Sequence, residues 1–166
     1  MRVLLITPPL LQCNAPYPAT PLLAAWLRRA GYNAIQADAS LGLLLRLFSA
    51  EGLRRVRDGL ARQAPSPALA YFREQAESYI TWVEPVVRYL QGREPSLAHR
   101  LARPGVLPEG PRFEALRGQE LGADGTLSWA FGSLGTADEA HYRASLFIDD
   151  VATAIRLGVD PGFGLS

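Results

Sequence analysis

The sequence contains no lysine; all 17 of its basic residues are arginine. A Schiff-base lysine, a phosphate-loop lysine and a lysine general base are therefore excluded. Cysteine is limited to Cys13 and histidine to His99 and His141. An internal disulfide cannot form, and a zinc site of Cys and His would need all three residues at spacings that match no zinc pattern. An excess of either charge is also missing: 17 basic against 16 acidic residues leave a formal net charge of +1, which argues against nucleic acid as a partner. The densest arginines, Arg54, Arg55 and Arg57, are flanked by Glu51 and Asp58 and read as a solvated helix face. Finally, no apolar run is long enough to span a bilayer. Residues 3–27 are uncharged but hold Pro8, Pro9, Pro16, Pro18 and Pro21, which also break the faint lipoprotein look of Leu10-Leu11-Gln12-Cys13. The expectation is a cytoplasmic protein with no membrane partner.

What is present is an ordinary globular composition: 166 residues, 18.1 kDa, 48% apolar and 20% charged, enough for one domain. Val3-Leu4-Leu5-Ile6-Thr7 is rich in β-formers, apolar on both faces as a strand inside a parallel sheet would be, and stopped by Pro8-Pro9. A proline-containing loop follows. Thr20-Pro21 then reads as an N-cap and first helical residue, Leu22, Leu23, Ala25, Trp26 and Leu27 as an apolar helix, and Gly31 as its stop. Ala34-Ile35-Gln36-Ala37-Asp38 is a second strand, which completes a βαβ unit.

Beyond it the pattern turns helical. Ser40 is placed to cap a helix through Leu41, Leu44, Leu45 and Phe48, and Leu53, Val56 and Leu60 carry the next stripe as far as Pro65-Ser66-Pro67. Leu69, Phe72, Ala76, Tyr79, Ile80 and Val83 recur at helical spacing, with a kink or restart expected at Pro85. Residues 92–135 are irregular, with a short helix expected over 96–102 and a turn at Pro104-Gly105. Thr136 and Glu139 have capping-box spacing and open a last helix through Ala140, Ala144, Phe147, Ile148, Val151 and Ile155. The fold class is thus α/β but helix-dominated: an incomplete Rossmann-like βαβ unit over 1–48, then a helical region over 49–166. Two parallel strands are too few for a stable sheet. Further strands hidden in 92–135, or chain outside this sequence, are the two ways to complete it. The closing residues, from Val159 to Ser166, read as a linker in mid-course, so a fragment of a longer protein is expected.

Ligands of open parallel sheets bind beyond the carboxyl ends of the strands. That edge offers Pro9, Gln12, Cys13, Asn14, Tyr17 and Thr20 after the first strand, and Asp38 after the second, where it can bond a ribose or amide or cap the next helix. The dinucleotide fingerprint G-x-G-x-x-G is absent. Cys13 has no histidine near it in sequence and reads as a small loop side chain rather than a nucleophile. His99 and His141 read as surface or packing residues, Asp149 and Asp150 as solvated carboxylates rather than metal ligands with Asp160, and Phe72, Tyr79, Trp82 and Tyr89 as core or domain contact.

Val3-Leu4-Leu5-Ile6-Thr7-Pro8-Pro9, the proline-rich loop, Pro21-Leu22-Leu23-Ala24-Ala25-Trp26-Leu27, Ala30-Gly31-Tyr32 and Asp38 together resemble the N-terminal region of cobalamin-binding-domain radical SAM proteins. Leu90-Gln91-Gly92-Arg93 and Leu107-Pro108-Glu109-Gly110-Pro111-Arg112-Phe113 look like a helical insertion found in one branch of that family. The resemblance implies a Rossmann-like platform for cobalamin, with Pro9, Gln12, Cys13, Asn14, Tyr17, Thr20 and Asp38 as the candidate contacts. It also implies a later barrel carrying an iron–sulfur cluster and S-adenosylmethionine. The sequence departs from the family at three points: one cysteine cannot make C-x3-C-x2-C, the Asp-x-His-x-x-Gly cobalamin motif is missing, and Thr20-Pro21 replaces a loop glycine. Cluster chemistry and catalytic residues are therefore expected to lie outside this chain, whose partner would be the remainder of that protein. The competing expectation is a stand-alone helical interaction or assembly module, whose βαβ unit is completed by a second copy.

Overall fold

The structure is a computed structural model, described at residues 1–9, 17–62, 67–114, 116 and 135–165. It divides into two units, Met1–Leu47 and Phe48–Gly164. The first opens with β1 (Arg2–Thr7), crosses through α1 (Ala19–Arg29) and returns as β2 (Asn33–Asp38), parallel to β1 in a register running from Arg2↔Asn33 to Thr7↔Asp38. A parallel partner requires such a crossover, and a helix is its usual form. Among the described residues this pair is the whole sheet.

The stop of α1 follows the glycine signal. Gly31 takes φ 83°, its N–H donates to the Arg28 carbonyl at 3.1 Å, and the Tyr32 N–H donates to Leu27 at 3.0 Å. This is a Schellman closure, which needs the left-handed conformation that glycine adopts without penalty. The start differs from the expectation. Pro18 occupies the N-cap position and Thr20 lies inside the first turn, because its hydroxyl pairs with Thr7 instead of a backbone N–H. Arg28 Nε donates to the Ala34 carbonyl at 2.9 Å and ties the helix end to β2.

The alternation along β1 is not that of a strand buried on both faces. Val3 and Leu5 are half-buried and Thr7 is buried, while Leu4 and Ile6 on the opposite face are exposed, as is Ile35 across from Leu4. α2 (Ala39–Leu47) closes the unit. Its cap is Asp38, whose Oδ1 accepts the Leu41 N–H at 2.8 Å; Ser40, expected in that role, is buried within the helix.

The second unit is helical. α3 (Ala50–Leu60) is capped by Ser49, which accepts the Gly52 N–H at 3.0 Å, and it buries Leu53, Val56 and Leu60. The stripe from Leu69 to Val83 is carried by two helices, α4 (Pro67–Glu74) and α5 (Ala76–Leu90). Gln75 leaves helical geometry between them at ψ 12°, and α5 continues through Pro85, where a kink or restart was expected. The expected 96–102 helix is a 3₁₀ turn, Pro95–Leu97, running into the short α6 (Ala98–Leu101). A further 3₁₀ turn spans Pro111–Phe113, and α7 (Thr136–Gly158) is the 23-residue spine of the unit. The capping box at the start of α7 does not form: Gly135, at φ 91°, stands at the N-cap and Glu139 turns to Arg143 instead.

The spine collects the core. α3, α4, α5, α6 and the Pro111–Phe113 turn all pack on α7. Tyr79, Phe113, Phe147, Leu53, Leu101 and Val151 are fully buried, and the rings of Phe72, Tyr79 and Phe147 follow one another at 4.9 and 5.1 Å. A Cβ on Gly158 would collide with the Leu60 side chain, so the last turn of α7 meets the end of α3 at glycine-only distance. No helix among the described residues is long and apolar enough to cross a membrane.

Candidate functional site

Two polar groupings stand out, one in each unit. The first is the carboxyl edge of the two strands. Thr7 and Asp38 end β1 and β2 opposite one another. The Thr7 and Thr20 hydroxyls lie 3.2 Å apart, which fixes the first turn of α1 to the end of β1. Asp38 spends one carboxylate oxygen on the α2 cap, so of the two roles open to it the structure contains the cap. Pro9, which follows β1, and Tyr17, which precedes α1, are exposed. Gln12, Cys13 and Asn14 lie outside the described residues. This edge therefore gathers Thr7, Thr20 and Asp38: two hydroxyls already bonded to each other, and one carboxylate. Such a set is suited to orienting a ligand.

The second grouping was not anticipated. Asp150, expected to be a solvated carboxylate, is 5% exposed on the inner face of α7. Its Oδ1 accepts the Arg112 N–H at 2.9 Å, Oδ2 accepts the Tyr79 hydroxyl at 3.2 Å, and the Gly110 N–H is a further donor. Burial pushes the Asp150 carboxyl above the ordinary range, while the three donors and the Arg112 guanidinium pull the other way and offset only part of it. Gly110 has to be glycine, since a Cβ would overlap both Asp150 Oδ2 and the Tyr79 hydroxyl. Two turns earlier Arg143, also buried, bonds Glu109 at 3.0 Å and Glu139 at 3.2 Å, and Glu109 accepts the Gly105 N–H at 2.9 Å as well. Residues 105–113 are thus strapped to α7 by two buried ionisable side chains. Leu107 and Phe113 are buried as apolar anchors of the same segment.

The remaining singled-out residues fall as follows. Asp149 is exposed, and Asp160 accepts the Gly162 N–H at 2.9 Å in a turn. No group of three His, Cys, Asp or Glu among the described residues is placed to hold a metal ion. His99 is exposed; His141 is exposed and stacks on Tyr89 at 4.7 Å. The Tyr89 hydroxyl donates to the Ala137 carbonyl, and burial, with help from Asp138, pushes its phenol up. Phe72 and Tyr79 are core residues, while Trp82 is half-buried under the Arg100 guanidinium at 5.0 Å. Of the arginine run, Arg55 pairs with Glu51, and Arg57 with Asp58 and Glu77, all on exposed helix faces.

A signal for Arg143 and Asp150 exists in the sequence. They stand seven residues apart, in phase with Ala140, Phe147 and Ala154, so both lie on the apolar stripe of α7. Two ionisable residues on a buried stripe must find partners. Compared with known proteins, the chain matches no family model, no curated protein and no solved structure.

Proposed function

We propose that Met1–Leu47 is the opening part of a Rossmann-like, cobalamin-binding platform of a radical SAM enzyme, and that the chain has no catalytic residues of its own. The observation that carries this reading is the β1–α1–β2 unit. It is a parallel pair in register, with strand ends side by side and with apolar Leu4, Ile6 and Ile35 left exposed on one sheet face. A parallel sheet is stable when both faces are covered, so this unit is suited to being one part of a larger α/β layer.

The residues in place suit a broad, partly apolar ligand at the strand ends: Pro9 and Tyr17 are exposed, and the Thr7 and Thr20 hydroxyls pair at the end of β1. Met1–Leu47 contains no histidine of its own to serve as a cobalt ligand. Pro9, Tyr17 and Thr20 would border the ligand, with Gln12, Cys13 and Asn14 as further candidates from the intervening sequence and Asp38 remaining the α2 cap. Bound cobalamin supplies a cobalt centre able to carry a methyl group. An iron–sulfur cluster and S-adenosylmethionine belong, on this reading, to a partner domain with the cysteines that this chain lacks.

Titration of the chain with hydroxocobalamin tests the reading. A shifted visible spectrum and co-elution of the corrin on gel filtration are the expected results, and an unchanged spectrum with no co-elution removes cobalamin from the account. The second reading, a helical interaction module completed by dimerisation, draws on the core that Phe48–Gly164 possesses by itself. A sedimentation mass equal to one chain at micromolar concentration rejects it.

A further inference from the structure

The outer stripe of α1 and the amino ends of the two strands take no part in either functional reading. Leu22, Trp26 and Arg29 recur at helical spacing, with Leu23 beside Trp26, on the side of α1 away from its buried Ala24. Leu22, Leu23 and Trp26 are each half exposed or more. A water-facing helix stripe is ordinarily polar, whereas this one has no charge before Arg28 and Arg29 in its last turn.

That last turn brings its arginines to the amino edge of the sheet. Arg28 Nε donates to the Ala34 carbonyl, and Arg2 stands beside Asn33 in the β1–β2 register. Tyr32, exposed, joins α1 to β2 at the same edge. Arg2, Arg28 and Arg29 are thereby gathered at one end of the unit, one helical turn from Trp26. The single acid within residues 1–47 is Asp38, which caps α2 at the other end of β2, about 16 Å along the strand. No carboxylate of the unit neutralises the amino edge.

We propose that this face of Met1–Leu47 docks on an anionic lipid surface. Leu22, Leu23 and Trp26 enter the boundary between headgroups and acyl chains, and Arg2, Arg28 and Arg29 meet the lipid phosphates. Charge complementarity selects this occupant. A second copy of the same face would set arginine against arginine with no carboxylate between them. The apolar stripe by itself also falls well short of the about 800 Å² per partner that a stable protein interface uses. A lipid surface sets no such threshold, because binding grows with each apolar side chain buried and each cation brought to an anionic headgroup. Tryptophan and tyrosine suit that boundary, each having an apolar body and a polar tip.

The expectation of no membrane partner rested on the lack of a spanning run, which a surface contact does not need. The carboxyl ends of the strands and the Leu4, Ile6 and Ile35 face, on which the cobalamin reading rests, lie elsewhere on the unit. Lipid docking and corrin binding therefore stand or fall separately.

Cosedimentation with unilamellar vesicles of equal parts phosphatidylcholine and phosphatidylglycerol tests the proposal. Binding is expected to these vesicles, and to fall at least about tenfold on phosphatidylcholine alone or in high salt. Arg29→Gln is expected to weaken it about fivefold, the loss of one cation at the surface. Trp26→Ala is expected to weaken it about tenfold through lost apolar burial. Both side chains are exposed, so neither change disturbs the core, and unaltered helical circular dichroism checks this. Trp26→Phe keeps an apolar ring and is expected to retain cosedimentation while losing the quenching of tryptophan emission by lipids brominated on their acyl chains. The proposal is overturned by no cosedimentation with the mixed vesicles, by equal binding to phosphatidylcholine alone, or by quenching that survives in Trp26→Phe. A sedimentation mass of two chains that Trp26→Ala returns to one overturns it in favour of a second copy on this face.

Discussion

Met1–Leu47 and Phe48–Gly164 are both rich in apolar residues, yet they bury them very differently. Among the described residues of the first unit the buried ones are Thr7, Ala24, Ala34 and Ser40, none of them large. Several of its bulky residues remain in solvent: Trp26 is 65% exposed, Leu22 67% and Leu4 58%. The second unit buries Tyr79, Phe113 and Phe147 completely. The difference lies in geometry. A helix offers one apolar stripe, which a few neighbouring helices cover, whereas a parallel sheet offers two faces and two edges that only more strands and helices can close.

The comparison breaks most visibly in the second core. Phe147→Ala removes a fully buried ring stacked on Tyr79 and is expected to cost about 3–5 kcal/mol, read as a large fall in the urea midpoint of the helical circular dichroism. Trp26→Ala removes a larger side chain from α1, but at 65% exposure it is expected to cost under about 1 kcal/mol. Equal losses would mean that the first unit is as well packed as the second.

A finer division comes from two caps of similar chemistry. Ser49→Ala removes the acceptor for the Gly52 N–H at the start of α3, and Asp38→Ala removes the acceptor for Leu41 at the start of α2. Each is expected to cost about 1 kcal/mol locally. Exchange of α3 amides is expected to respond only to the Ser49 change and exchange of α2 amides only to the Asp38 change. A response in both helices to either change would show one cooperative structure instead of two.

How far the sequence revealed this arrangement depends on the range of the interaction. The strands, the glycine stop at Gly31, and the stripe Leu53, Val56 and Leu60 were legible, because each rests on contacts a few residues apart. The capping box at Thr136 misled for a long-range reason. Glu139, which it needs, is shared with the Arg143–Glu109 pair, 34 residues apart in sequence. Asp150 was hidden by its neighbour: in Asp149-Asp150 one acid faces solvent and the other the core, and only the phase of the whole α7 stripe separates them. At the strand edge, Thr20 was recognised but given a backbone partner, since its pairing with Thr7 depends on how α1 returns to β1.

The smallest expected effect bears most on function. Leu4→Ser places a hydroxyl on a sheet face where Leu4 is 58% and Ile35 opposite it 53% exposed. With that face in water, the change is expected to move stability by no more than about 0.5 kcal/mol, and the measured urea midpoint should hardly shift. The same substitution on a face covered by another protein layer would cost about 2 kcal/mol or more, through lost apolar burial and a hydroxyl without a partner. A near-zero effect in the chain as it stands, growing when a covering domain is supplied, would establish the bare face of β1–β2 as an interface. A large effect in the chain alone would show the face already covered in solution, and the contrast between the two units would narrow accordingly.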